Sequence, residues 1–145
     1  MQSADDLLKL DNQLCFALVT AARNVVAVYR PILEPLGLTH PQYLVMLALW
    51  ETSPLALGEL AADLAMEPAT LSPLVKRLET QGLVTRGRRA GDERVLEIGL
   101  TDEGRVLRSR ALRVPEQVMA AVGMTVDEVT TLRDGLAPFA GRRSR

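Results

Sequence analysis

Apolar residues recur at helical spacing along most of the chain, and strict alternation occurs once. Leu7, Leu10, Leu14, Leu18, Ala21, Val25 and Val28 follow one another at three- and four-residue steps, which predicts one long helix over residues 7–29. Arg30-Pro31 should end or kink it, because proline lacks a donor and restricts the residue before it. Gly37 breaks the short segment that follows. Thr39-His40-Pro41-Gln42 reads as a capping box, opening a helix through Tyr43, Leu44, Leu47 and Trp50 to about Thr52. Ser53-Pro54 is a break.

Leu57, Leu60, Ala61 and Leu64 mark a short amphipathic helix. After the tight connection at residues 66–69, Leu71, Leu74, Val75 and Leu78 form the stripe of a second one. Thr70 suits its N-cap, which would put Pro73 in the first turn, and Gly82 suits its stop. Two short helices joined by a turn are a helix-turn-helix candidate. A hairpin follows: strand 83–86, a polar turn at 89–93, then Leu96, Ile98 and Leu100 alternating with Val95, Glu97 and Gly99. Thr101-Asp102-Glu103 starts a helix expected to reach about Val122. Thr125 and Glu128 form another capping box, ahead of Val126, Val129, Leu132 and Leu136. The tail Arg142-Arg143-Ser144-Arg145 is expected to fray.

Composition narrows the chemistry. The 145 residues are 48% hydrophobic and 24% charged, a globular balance for one domain. A single cysteine excludes an internal disulfide framework and a Cys-cluster zinc site. A single histidine argues against a His-based metal site or a Ser-His triad. The acidic start MQSADDLLKL lacks the apolar core of a signal peptide. The longest unbroken apolar run, residues 44–50, is far short of a membrane span, so a cytoplasmic protein with no membrane partner is expected.

The net charge of −1 hides an uneven distribution. Residues 1–67 carry −5, residues 68–94 carry +3 and residues 95–145 carry +1. A phosphate-binding surface needs local positive charge, although a solvated charged hairpin has the same pattern. If residues 70–81 are a recognition helix, its stripe points inward and Thr70, Ser72, Pro73, Lys76 and Arg77 are candidates to face DNA.

With long helices on both sides, this winged-helix pattern resembles the MarR family of bacterial transcriptional regulators. The resemblance is carried by residues 57–64 and 68–82, and most specifically by Asp92-Glu93-Arg94 followed by Leu100-Thr101-Asp102-Glu103-Gly104. It implies a winged helix-turn-helix fold, mainly α with a two-stranded wing. The winged part would lie at about 55–100 of one domain spanning 1–145, with dimerisation helices at about 7–36 and 102–140. Leu107, Leu112, Val118, Val122, Leu132 and Leu136 give those last helices apolar stripes that need covering. The resemblance makes Arg94 the wing arginine that enters the minor groove, with Asp92 orienting it. Arg86, Arg88 and Arg89 would add phosphate contacts. The expected partners are a second copy of the chain and double-stranded DNA, as a pseudo-palindrome with half-sites about one helical turn apart.

The N-terminal third goes further. Residues 10–18, Tyr29-Arg30-Pro31 and residues 36–44 resemble the organic hydroperoxide resistance regulators (OhrR), a thiol-sensing branch of the family. There a first-helix cysteine reacts with organic hydroperoxides and the modified protein releases DNA. Cys15 falls at that position. The branch supplies two tyrosines from the partner subunit to the thiolate. Tyr29 matches one, the other is His40 here, and a third family tyrosine is Val19 here. A neutral, donating His40 is expected, because the positive end of its helix disfavours imidazolium.

Geometry adds one inference independent of resemblance. Cys15 and Tyr29 are fourteen residues apart. On a helix they share a face within roughly 40° but lie about 21 Å apart, so they cannot touch within one chain. If Tyr29 serves the thiolate, a second subunit supplies it. With no second cysteine, a sulfenic acid would need an outside low-molecular-weight thiol, failing which over-oxidation follows. No cofactor is implied, and the reading is of a regulator rather than an enzyme. Two alternatives remain at this stage: a regulator binding a small aromatic or anionic ligand with Cys15 inert, and a thiol peroxidase.

Overall fold

The computed structural model describes residues 3–140, so the Arg142–Arg145 tail, expected to fray, lies outside the described residues. The elements are α1 (Ala4–Leu7), α2 (Leu14–Leu33), α3 (His40–Glu51), β1 (Leu55–Ala56), α4 (Leu57–Asp63), α5 (Pro68–Thr80), β2 (Val84–Arg89), β3 (Asp92–Leu100), α6 (Asp102–Ala111), α7 (Val114–Val122) and α8 (Val126–Gly135). Single 3-10 turns sit at Leu10–Asn12, Glu34–Leu36 and Ala137–Phe139. The winged helix-turn-helix expected from the pattern is present: α4 and α5 are the helix pair and β2–β3 the wing.

Several boundaries differ from the sequence expectation. The helix expected over 7–29 is broken before Leu14. Side-chain amides capture the carbonyls there: Asn12 Nδ2 donates to Asp6 O at 2.6 Å, and Gln13 Nε2 donates to Leu7 O and Lys9 O at 2.8 Å each. Pro31 does not end α2, because it falls in the last turn, where the lost bond is one of few remaining. The N-cap of α5 is Glu67 rather than Thr70, and Pro68 at the first position presets the helical φ. Pro73 therefore lies one turn deeper than expected. The helix expected from 102 to 122 is two helices, because Pro115 seeds a new start at Val114. The capping boxes at Thr39/Gln42 and Thr125/Glu128 form as expected.

The wing sheet has three strands, not two, in the order β1-β3-β2. Leu55 pairs with Ile98 and Ala56 with Glu97. A two-residue strand is too short to leave an alternation signal.

The core runs from Leu33 through α3, α4, α5 and the sheet to Val118. Leu33, Met46, Leu60, Leu71, Leu78 and Ile98 are fully buried. Leu107 and Val118 belong to this core, whereas Leu112, Leu132 and Leu136 are exposed. By length and hydropathy alone, Leu14–Leu36 is apolar enough to cross a membrane, with a mean hydropathy of 1.3. The continuous-run criterion overlooked it because Arg23 and Arg30 interrupt the run. One such helix is weak evidence for a membrane by length and composition alone, and only 6% of its window is buried within the protomer.

A joint ties α6 to the wing. Trp50 Nε1 donates to Gly104 O at 2.8 Å. Thr101 Oγ1 donates to Gly82 O at 2.6 Å, and its N–H to Leu83 O at 3.1 Å. A Cβ at Gly104 would collide with the Leu83 carbonyl, so only glycine permits this approach.

Candidate DNA interface and thiol site

Leu71, Val75 and Leu78 anchor α5 to the core and turn its other side outward. Thr70, Pro73, Lys76 and Arg77 are exposed there, while Ser72 is half-buried. Lys76 and Arg77 make no ion pair among the described residues, so both charges are free for an anion.

The wing arginines divide into two kinds. Arg86 Nε donates to Glu79 at 3.1 Å, pinning β2 to α5. Arg89 Nε donates to Glu97 at 3.1 Å and its Nη2 to Glu59 at 3.3 Å, pinning β2 to β3 and α4. These acidic partners were not legible in sequence, since Glu59 lies thirty residues from Arg89. Arg88 is exposed, with no ion pair among the described residues.

Arg94 is placed by a slip in register. Arg88 pairs with Leu96, but the next residue, Arg89, pairs with Asp92. Residues 93–95 thus have no partner across the ladder and bulge outward. The Arg94 side chain is 92% exposed. Asp92 Oδ1 accepts from both its backbone N–H and its Nε, each at 3.2 Å.

Cys15 lies in the first turn of α2, not mid-helix as the sequence pattern implied, and is exposed. The Gln13 N-cap makes no side-chain capping bond. The amide of Ala17 finds Gln13 O at 3.1 Å, whereas the amides of Leu14, Cys15 and Phe16 precede the first intrahelical bond.

Tyr29 and His40 come together at the far end of α2. Their ring centroids are 4.7 Å apart in an edge-on contact, and Tyr43 stands 5.8 Å from Tyr29. Burial pushes His40 below its ordinary value and both tyrosines above theirs. The cluster therefore holds neutral donors at neutral pH. Burial, rather than the helix end invoked above, lowers His40. Tyr43 did not stand out in sequence because it reads as one more core residue of α3. Since α2 is unbroken between them, Cys15 and Tyr29 stand about 21 Å apart within a protomer.

The fold and these surfaces define a winged helix-turn-helix protein with an uncovered pair of helical arms. The description "MarR family" matches residues 38–96. The organic hydroperoxide resistance transcriptional regulator of Bacillus subtilis is 37% identical over 136 residues, covering 94% of this chain and 92% of that protein. The HTH-type transcriptional regulator TtmR of Methylorubrum extorquens is 46% identical over 133 residues, covering 92% of this chain and 68% of that protein. AbfR bound to DNA, in reduced and in overoxidized form, superposes with a TM-score of 0.77 at 34% identity, covering 94% of this chain and 96% of that one. Disulfide-formed AbfR superposes less closely, at 0.65, covering 93% and 92%. The chain belongs to the MarR family and is a transcriptional regulator, not an enzyme.

Proposed function

We propose that the protein is a homodimeric repressor that holds a pseudo-palindromic operator while Cys15 is reduced and releases it when an organic hydroperoxide oxidises that thiol. The observation that carries this reading is the pairing of two half-sites on one protomer. An exposed thiol on an uncapped helix start lies at one end of α2, and a neutral Tyr29–His40 donor pair at the other. Neither reaches the other within the chain. An antiparallel second copy of α2 brings each thiol to the other copy's donors. Likeness to the Bacillus regulator supports the oxidant class. The closer fit to DNA-bound AbfR than to its disulfide form supports a DNA-competent conformation here.

Thr70, Ser72, Pro73, Lys76 and Arg77 of α5 would face the major groove, and Arg94, aimed by Asp92, the minor groove. Arg88 is free to add a phosphate contact. Arg86 and Arg89 brace the wing through Glu79, Glu97 and Glu59.

In the chemistry, the Cys15 thiolate attacks one peroxide oxygen. A sulfur–oxygen bond forms, the O–O bond breaks, and the alkoxide takes a proton to leave as alcohol. A small thiol then condenses with the sulfenic acid, forming a mixed disulfide and releasing water. Overoxidized AbfR is found on DNA. That favours the mixed disulfide, rather than a higher oxide, as the releasing species here.

The test is operator affinity by fluorescence anisotropy, before and after one equivalent of cumene hydroperoxide with a small thiol present. Affinity should fall at least tenfold and return with dithiothreitol, and Cys15→Ser should bind DNA yet ignore peroxide. Undiminished binding by protein whose Cys15 is shown by mass to carry the mixed disulfide would overturn the reading. Release by a phenolic anion instead would point to the cleft of about 320 Å³ lined by Tyr43, Trp50, Arg108 and Leu112.

A further inference from the structure

Gln42 is the one buried polar side chain of the described core, at 5% exposure. A buried amide is tolerated when its bonds are made, and both ends of this one are used. Its Oε1 accepts from Thr39 N–H at 3.0 Å, and its Nε2 donates to Gln81 Oε1 at 3.1 Å. Gln81 Nε2 in turn donates to Gly37 O at 2.8 Å. Reversing either amide would set donor against donor or acceptor against acceptor, so the chain of bonds has one consistent orientation.

The two ends of this relay matter. Gln81 is the C-cap of α5. Gly37 and Thr39 form the turn between α2 and α3, and Gly37 holds the positive φ of 72° that the turn requires. His40, the next residue, packs edge-on against Tyr29. One chain of side-chain amides thus runs from the turn that precedes His40 to the C-terminal end of α5.

We propose that Gln42 and Gln81 are positioning residues for operator binding. They clamp the C-terminal end of α5 to the turn at residues 37–40, so a shift of His40 is felt as a shift of α5. This rests on reading α5 as the recognition helix and the Tyr29–His40 pair as the sensing side.

The test is a double-mutant cycle on the reduced full-length dimer, with operator Kd as readout. Gln81→Met, at an exposed position, removes both bonds of Gln81 and should weaken operator binding about fivefold. Gln81→Glu keeps the acceptor for Gln42 but sets a carboxylate oxygen against the Gly37 carbonyl, so it should bind no better than Gln81→Met. His40→Ala should cost about threefold alone and nothing further in the Gln81→Met background. Losses that multiply, or Gln81→Met binding within twofold of wild type, would overturn the proposal. A merely structural role would lower the melting temperature and leave the losses multiplicative. The cycle involves no oxidation, so it decides the matter even if the peroxide response fails. That failure would appear separately, as wild type retaining the operator after Cys15 is modified.

Discussion

The centre of the molecule and its arms solve the problem of apolar surface in opposite ways. From Leu33 to Val118, large apolar side chains close on one another, and Leu33, Leu60, Leu71, Leu78 and Ile98 lose essentially all contact with water. In α1, α2 and α8, Leu33 is the only buried residue. Leu8 is 81% exposed, Leu14 58% and Leu132 55%. A chain does not gain stability from apolar residues left in water. The centre is built to fold on its own contacts, and the arms leave apolar surface that the proposed second copy would cover.

The hardest blow to that contrast is Leu132→Glu. On an isolated protomer it is nearly silent. In a dimer it buries an unpaired charge, costing about 3–5 kcal/mol. Sedimentation should show monomer, and operator affinity should fall at least 100-fold with the helical spectrum intact. An unchanged dimer would place the interface elsewhere.

Gly104→Ala strikes the centre instead. The new methyl group meets the Leu83 carbonyl and Leu100. Overpacking of this kind costs about 3 kcal/mol, read in chemical denaturation as a lower midpoint. A wild-type midpoint would show that the α6–wing joint yields easily.

Arg94→Ala and Arg89→Ala separate reading from bracing. Loss of Arg94 should weaken operator binding by about 1–2 kcal/mol, mainly where the flanking minor groove is A·T-rich. Loss of Arg89, an ion-pair centre of the wing, should weaken binding less than loss of Arg94, and irrespective of sequence. Equal, sequence-dependent losses would make Arg89 a DNA contact.

The smallest effect is a pH slope. His40 sits below its ordinary value of 6.5 in the folded protein. Beneath that value the unfolded chain binds a proton the folded one declines, so stability rises with pH. The contribution is complete above about 6.5 and is lost as pH falls toward the lowered folded value. His40→Asn should flatten denaturation midpoints between pH 5 and 7. An unaltered slope would assign it to other groups.

The long-period features were legible in the sequence: the helix pair, the hairpin and two capping boxes each rest on spacing within one element. What escaped notice depends on contacts between elements. β1 is two residues long and exists through its pairing with β3. Arg89 reads as an unpaired cation, and nothing local reveals that Glu59 and Glu97 stand beside it. Cys15 looks mid-helix until Asn12 and Gln13 claim the carbonyls of the preceding turns. Gln42 looks like half of a capping box, and nothing local reveals that its other end reaches Gln81. For the site as a whole, residue types were readable and their partners were not.

The bulge at residues 93–95 also bears on how such a regulator can change. Those positions hold no ladder pairing and bury no core side chain, while the strands beneath are fastened by Arg86 and Arg89. If the wing tip reads DNA as proposed, substitution there would alter the side chain presented to it and leave the paired strands in place. On that reading the wing tip would be a place where descendants of this chain could acquire new operator preferences one residue at a time, without first having to recover a lost fold.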